Sequence, residues 1–299
     1  MNAAFFSTNR LWAYLQMMRP ANIVTAWADI LAGFAASGAV GLINIQVLGW
    51  LLLSTTGLYG GGIVLNDVFD AELDAKERPE RPIPSGRASR QGATLLGSVL
   101  LVVGVVAAAQ VSLLSATIAC SIALAATLYD AFGKHHPILG PLNMGACRGG
   151  NLLLGISAIS AMLGEHWFLA IIPVIYIAAI TTISRGEVHG AKGITGIIAL
   201  SLIGLVIAGL LGLGLLQDYQ VLAALPFVAL FAVRVLQPFI KAVLEPKPEQ
   251  IRIAVKAGVL SLIVLDATVA AGFATLPYGL LVLSLLPISM ALAQIFAVT

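Results

Sequence analysis

Apolar residues run through this chain in long blocks separated by short polar connections, without alternation. The blocks lie at 21–41, 46–66, 92–110, 111–129, 138–162, 167–184, 194–216, 220–243, 252–274 and 278–298. A helix that crosses a bilayer needs about 20 mostly apolar residues, and most of the blocks come close to that. A membrane β-barrel would show segments of roughly ten residues with a period of two. The pattern therefore predicts an all-α, polytopic transmembrane bundle of nine or ten helices. The last two blocks are the least separate, with TLPYG alone between them. Ahead of them, residues 1–20 predict a short interfacial helix, with Trp12 and Tyr14 beside Leu11, Leu15 and Met18; Trp and Tyr favour the membrane–water boundary. Residues 21–299 then form a single domain. The first eighteen residues lack the basic start and apolar core of a secretory signal.

Composition strengthens this picture. The chain is 59% hydrophobic and 10% charged, whereas about a quarter of a soluble domain is charged. Its mean hydropathy is +0.99. Cys120 and Cys147 fall inside predicted helices, where they are expected as small buried residues rather than as a disulfide or metal site.

Charge adds orientation. With the N-terminus on one side, the connections 67–91, 130–137, 185–193 and 244–251 share that side. All sixteen Lys and Arg lie in these connections, in the N-terminal segment, or within about three helical turns of them. The opposite connections carry none. The positive-inside rule places the N-terminus and the charged loops in the cytoplasm. The expected location is a cell inner membrane or a photosynthetic membrane, and no nucleic-acid partner is expected.

The densest charge lies in LNDVFDAELDAKERPERPIPSGR, residues 65–87. Asp67, Asp70 and Asp74 are spaced i, i+3, i+7, which puts three carboxylates on one helical face, joined by Asn66. Such a row repels itself and needs positive compensation. Arg78, Arg81 and Arg87 follow closely. A divalent metal is the other candidate: Mg2+ takes one or two carboxylates and completes its shell with water and substrate phosphate, while arginine forks bind phosphate directly. On spacing alone, a diphosphate site and a self-paired polar loop remain equally open.

The stretch NDVFDAELDAKERPERPIPSG resembles the first aspartate-rich motif of the UbiA superfamily of intramembrane prenyltransferases, NDxxDxxxD followed by an RPxxSG-like segment. Asn66, Asp67, Asp70, Asp74, Arg81, Pro82, Ser85 and Gly86 match it. MMRPANIVTAW resembles the family's RPxN entry through Arg19, Pro20 and Asn22. YDAFGKHHPILGPLNMGACRGGNLLLG is similar to its helix 4–5 region, with Tyr129, Lys134, Gly140 and Asn143. The pattern covers roughly residues 15 to 275, leaving the last block as an addition to the usual nine helices. The resemblance implies a UbiA-like fold, Mg2+, and transfer of a prenyl group from a prenyl diphosphate to a lipophilic, commonly aromatic, acceptor within the lipid. It assigns Asp67, Asp70, Asp74 and Asn66 to the metal. Asn22, Asn66, Arg81, Lys134, Asn143, Arg185 and Lys192 fall to substrate, and Glu187 joins the aspartates in catalysis.

The family's second acidic motif is reduced here. The loop TTISRGEVHGAKGITG offers Glu187 beside Arg185, His189 and Lys192, without paired aspartates. This loop resembles that of the UbiA-like EboC branch. Two alternatives to catalysis stay open: a catalytically diminished relative that binds prenyl lipid or scaffolds a pathway, and a membrane transporter. The four His make no metal-ligand spacing.

Other residues inside the apolar blocks carry expectations too. An intramembrane acid is a functional hypothesis by default: Asp29 is a candidate cavity residue, and Asp266 a structural partner. Arg148 and Arg234 face the polar cavity or snorkel outward. Gly145 and Gly149 predict close helix packing. Tyr59, Phe69, Tyr129, Phe132 and Tyr176 are candidate π-faces for an allylic cation, or plain packing.

Overall fold

The computed structural model describes residues 3–42, 44–133, 136, 138–184 and 193–296. Helices make up the regular structure, and no strand occurs among the described residues. In chain order they are α1 (Ala3–Met18), α2 (Pro20–Ala36), α3 (Ile45–Phe69), α4 (Ala71–Glu77), α5 (Arg90–Ala109), α6 (Leu113–Leu128) and α7 (Leu139–Ile156). Then come α8 (Met162–His166), α9 (Ile171–Ser184), α10 (Gly193–Gly212), α11 (Val221–Leu244), α12 (Pro248–Phe273), α13 (Leu276–Leu283) and α14 (Leu285–Ile295).

Local sequence sets several of the starts. Asn44, Ser89, Ser112 and Thr275 cap α3, α5, α6 and α13, each side-chain oxygen accepting from a backbone N–H of the first turn. Pro20 and Pro248 open α2 and α12, where a missing N–H costs nothing.

Each predicted block coincides with a helix or a helix pair. Among the described residues, eight stretches are long and apolar enough to cross a membrane. The other two are α2, which has 17 residues, and α7, which carries Asn143, Arg148 and Asn151. Both still pack inside the bundle. Successive helices contact one another around a ring from α3 through α5, α6, α7, α9, α10 and α11 to α12, and α2 packs against α3, α7, α12 and α14. All of α2 from Ala21 to Ala36 is buried except Trp27, as is α12 from Leu260 to Gly272. These two helices form the core against which the site is built.

Lipid is as apolar as leucine, so helix association here rests on close packing. A Cβ on Gly57 of α3 would lie 2.5 Å from Leu100 O of α5, and one on Gly155 of α7 would lie 2.6 Å from Ile30 O of α2. Gly145 and Gly149 press on Val174 of α9 and on Ala170 just before it, the packing role expected of them. Leu95, Val102 and Val106 of α5 and Leu124 of α6 point outward, as a lipid-facing surface requires. Cys120 shares that outward face and is exposed, against the expectation of burial.

Candidate active site at the charged mouth of the bundle

The aspartate row runs along a helix that bends without breaking. Asp70 N–H donates to Asn66 O, and Asp74 N–H donates to Asp70 O at 2.8 Å. Asp70 itself has φ −86° and ψ 0°, so α4 continues α3 at a hinge. The i, i+7 relation survives the bend. Asp67 and Asp74 are both buried, and one guanidinium nitrogen serves both. Arg81 Nη1 donates to Asp74 Oδ2 at 2.8 Å and lies 3.4 Å from Asp67 Oδ1.

Arg81 reaches them because the loop after α4 coils back. Arg81 N–H donates to Arg78 O, Ser85 N–H donates to Arg81 O, and Gly86 adopts a φ of +74° that a side chain would resist. Arg87 plays another part. Its guanidinium donates to Gln16 Oε1 at 2.8 Å, Glu80 O at 2.6 Å and Ser85 Oγ at 3.0 Å. It straps the loop to α1 and itself.

Sequence reasoning placed Arg19 in a motif but not at the acids. Arg19 Nη2 lies 3.2 Å from Asp67 Oδ1. Its backbone is left-handed, with φ 46° and ψ 68°, the one non-glycine positive φ among the described residues. That conformation costs on the order of 1–3 kcal/mol and tends to mark functional sites. Here it turns the chain from α1 into α2 while Arg19 faces Asp67. Burial lowers the Arg19 pKa and Asp67 opposes the shift; an arginine keeps its charge regardless.

Asp130 also went unremarked. It sits on the π-helical turn Tyr129–Gly133 that closes α6, is buried, and accepts from Asn66 Nδ2 at 2.8 Å. An acid at the end of an apolar block was the available signal. Asn143 lies across from this turn on α7, where Cys147 Sγ approaches its Oδ1 at 3.8 Å. Asn22 occupies the first turn of α2, buried, three residues beyond Arg19. Lys134, Arg185, Glu187 and Lys192, with His135 and His189, lie outside the described residues.

Asp67, Asp70, Asp74 and Asn66 offer oxygen alone, the donor type that hard cations such as Mg2+ prefer. No three His, Cys, Asp or Glu among the described residues converge into a cage. That suits Mg2+, which draws one or two carboxylates from protein and the remainder from water and phosphate. The donor set fits such an ion.

A second polar group lies deeper, between α2, α7 and α12. Arg148 Nε is 2.9 Å from Asp29 Oδ2, both side chains are essentially sealed from solvent, and Arg148 Nη2 donates to Thr25 Oγ1 at 2.7 Å. Asn151 Nδ2 donates to Asp29 Oδ2 at 2.8 Å. The Tyr59 ring lies 5.3 Å from the Arg148 guanidinium, within cation–π range. Asp266 adjoins Asp29 and Arg148. Arg148 thus pairs inward and does not snorkel. Asp29 is a pairing residue, as Asp266 was expected to be. Among the aromatic candidates, Phe69 and Phe132 are exposed and turn away from the interior. Tyr176 is packing: its hydroxyl donates to Gly258 O and its ring meets Phe231 edge-on.

A family model described as the UbiA prenyltransferase family matches residues 25–247. The digeranylgeranylglyceryl phosphate synthase of Methanothrix thermoacetophila is 32% identical over 185 residues, 62% of this chain and 67% of that protein. Other curated relatives of that name are matched over 52% to 65% of their own length, 62% for that of Ignicoccus hospitalis. Among solved structures, a UbiA homolog from Aeropyrum pernix K1 superposes with a TM-score of 0.68 at 16% identity, covering 82% of this chain and 96% of that one. A UbiA homolog from Archaeoglobus fulgidus bound to GPP and Mg2+ gives 0.50 at 14% identity, over 94% and 99%. These structural likenesses carry the fold.

Proposed function

Because the chain belongs to the UbiA prenyltransferase family, we propose that it transfers a prenyl group from a prenyl diphosphate to a lipophilic acceptor at the charged mouth of its bundle. The observation that carries this is the buried pair Asp67 and Asp74, held together by Arg81 and joined by Arg19. Carboxylates beside guanidinium forks are what a metal-bridged diphosphate requires.

In this reading the acids Asp67, Asp70 and Asp74, one or two at a time, would hold Mg2+ together with Asn66, and Glu187 would assist them. A Mg2+ ion held there would supply positive charge to offset that of the leaving diphosphate. Arg81 and Arg19 donate to diphosphate oxygens, where fixed donors stabilise developing negative charge. Lys134, Arg185 and Lys192 add charge from the loops, and Asn22 and Asn143 orient the substrate. The carbon–oxygen bond to diphosphate breaks, the acceptor attacks the allylic cation, and the acceptor loses a proton. Apolar helix faces take the prenyl tail and keep water from the cation. The mouth faces the cytoplasm, as the Lys and Arg distribution argues.

The acceptor class has a specific pointer. The relatives aligned here are named for a prenylated glyceryl phosphate, which favours a glyceryl phosphate lipid over an aromatic ring. Neither match bears on the EboC branch.

The test uses purified protein in lipid nanodiscs with Mg2+ and labelled geranylgeranyl diphosphate. Geranylgeranylglyceryl phosphate and an aromatic acceptor are supplied separately. Diphosphate release with prenylated product is expected, greater with the glyceryl phosphate. Binding without release would leave the diminished relative standing; release unaffected by Asp67→Ala and Asp70→Ala would remove the mouth from the mechanism.

A further inference from the structure

We infer that Asp130 is a positioning residue for the metal: it fixes the amide of Asn66 so that the amide's oxygen, not its nitrogen, is presented to the cation. This rests on the diphosphate-site reading given above.

An asparagine can ligate a cation solely through Oδ1, yet its amide can sit in either of two flips. In isolation nothing selects the productive one. Asn66 lies on the last turn of α3, next to Asp67, and its Nδ2 donates to Asp130 Oδ1 at 2.8 Å. An ionised carboxylate accepts and never donates. Asp130 therefore dictates the flip: Nδ2 must face it, and Oδ1 is turned elsewhere. A charge-assisted bond holds that choice roughly twice as firmly as a neutral one.

Asp130 is itself well fixed. It is 4% exposed. The wider π-helical turn Tyr129–Gly133 places it opposite α3, a type of turn that recurs at functional sites. Partners that orient a metal ligand typically change metal affinity by about 10- to 100-fold when removed. A bond serving simply to tie α6 to α3 would require the same flip but would leave metal affinity unchanged when an amide–amide bond replaces it.

A double-mutant cycle on the full chain in detergent separates these roles. The readout is Mn2+ affinity, from the EPR signal of free Mn2+, with a non-hydrolysable prenyl diphosphate analogue present. Asn66→Ala is expected to weaken binding about 10-fold. Asp130→Asn preserves an amide–amide hydrogen bond, hence the tie and the melting temperature, but allows either flip. It is expected to weaken binding about threefold. The two effects should not add: the double variant should match Asn66→Ala alone. Wild-type affinity in Asp130→Asn, or full additivity in the double variant, overturns the inference. Asp67→Asn is run alongside. If it loses Mn2+ while Asp130→Asn does not, the diphosphate-site reading stands and this inference falls alone. If Asp67→Asn also binds normally, both fall.

Discussion

Two clusters of acid and arginine lie in this bundle, and their surroundings give them opposite uses. At the mouth, Asp67 meets Arg19 and shares Arg81 with Asp74, and the two arginine side chains keep 15 to 17% exposure. In the interior, Arg148 and Asp29 are 4% and 0% exposed, with Thr25, Asn151 and Tyr59 around them. The interior pair is buried on every side and offers no access to a ligand. The mouth pairs retain an open edge, and Arg19 and Arg81 do no more than balance Asp67 and Asp74. A closed ion pair is architecture; an open one still has room for a ligand.

The comparison breaks most visibly at Asp67. Asp67→Ala should lower prenyl transfer by about 10³-fold or more, since both metal and fork geometry depend on it. Turnover with labelled prenyl diphosphate measures this. The same variant should melt far closer to wild type than an interior substitution does.

Arg148→Ala reverses the pattern. Removing one partner of a buried pair costs about 3–5 kcal/mol, so melting in detergent should fall steeply. Mn2+ affinity of the fraction that stays folded should hold. Replacing both partners, as Arg148→Met with Asp29→Leu, should recover most of the melting temperature, because apolar substitutes of similar size often serve as well.

Chelation sharpens the contrast without mutation. EDTA should abolish turnover and erase the thermal stabilisation given by a prenyl diphosphate analogue, roughly 2.7 kcal/mol at a hundredfold excess over Kd. Melting without the analogue should be unmoved. The smallest effect is expected at Arg19→Gly. Glycine accepts the left-handed backbone and should relieve about 1 kcal/mol of strain, while turnover falls from loss of the guanidinium. A parallel rise in both would count against a functional role for that strain.

Hydropathy alone located the helices, because spans must be continuous and apolar. It missed how differently α2 and α7 qualify. One is short, and the other carries Arg148 and Asn151 that only its neighbours can satisfy. Helical spacing foretold that Asp67 and Asp74 share a face, and nearness in sequence brought Arg81 to them. Arg19 and Asp130 were not legible in that way. Arg19 arrives from 48 residues away through a left-handed turn, and Asp130 from 64 residues away through a π-helical one. Neither turn has a periodic signature. A charge inside an apolar block announces that a partner exists, but the pairing of Arg148 with Asp29 is set by which helices meet. Arg87 shows the converse: it was grouped with the acids by proximity, and the fold uses it as a strap.

That strap has a practical side. Arg87 hooks Gln16 of α1, and Trp12 of the same helix stacks on Phe296 with ring centroids 4.9 Å apart. Through α1, the loop that aims Arg81 is thereby linked to Phe296, just after α14. A bulky label beside Trp12 or Phe296 would pull on that linkage. Gln217, exposed on the short turn at 216–220, is the better place for a label.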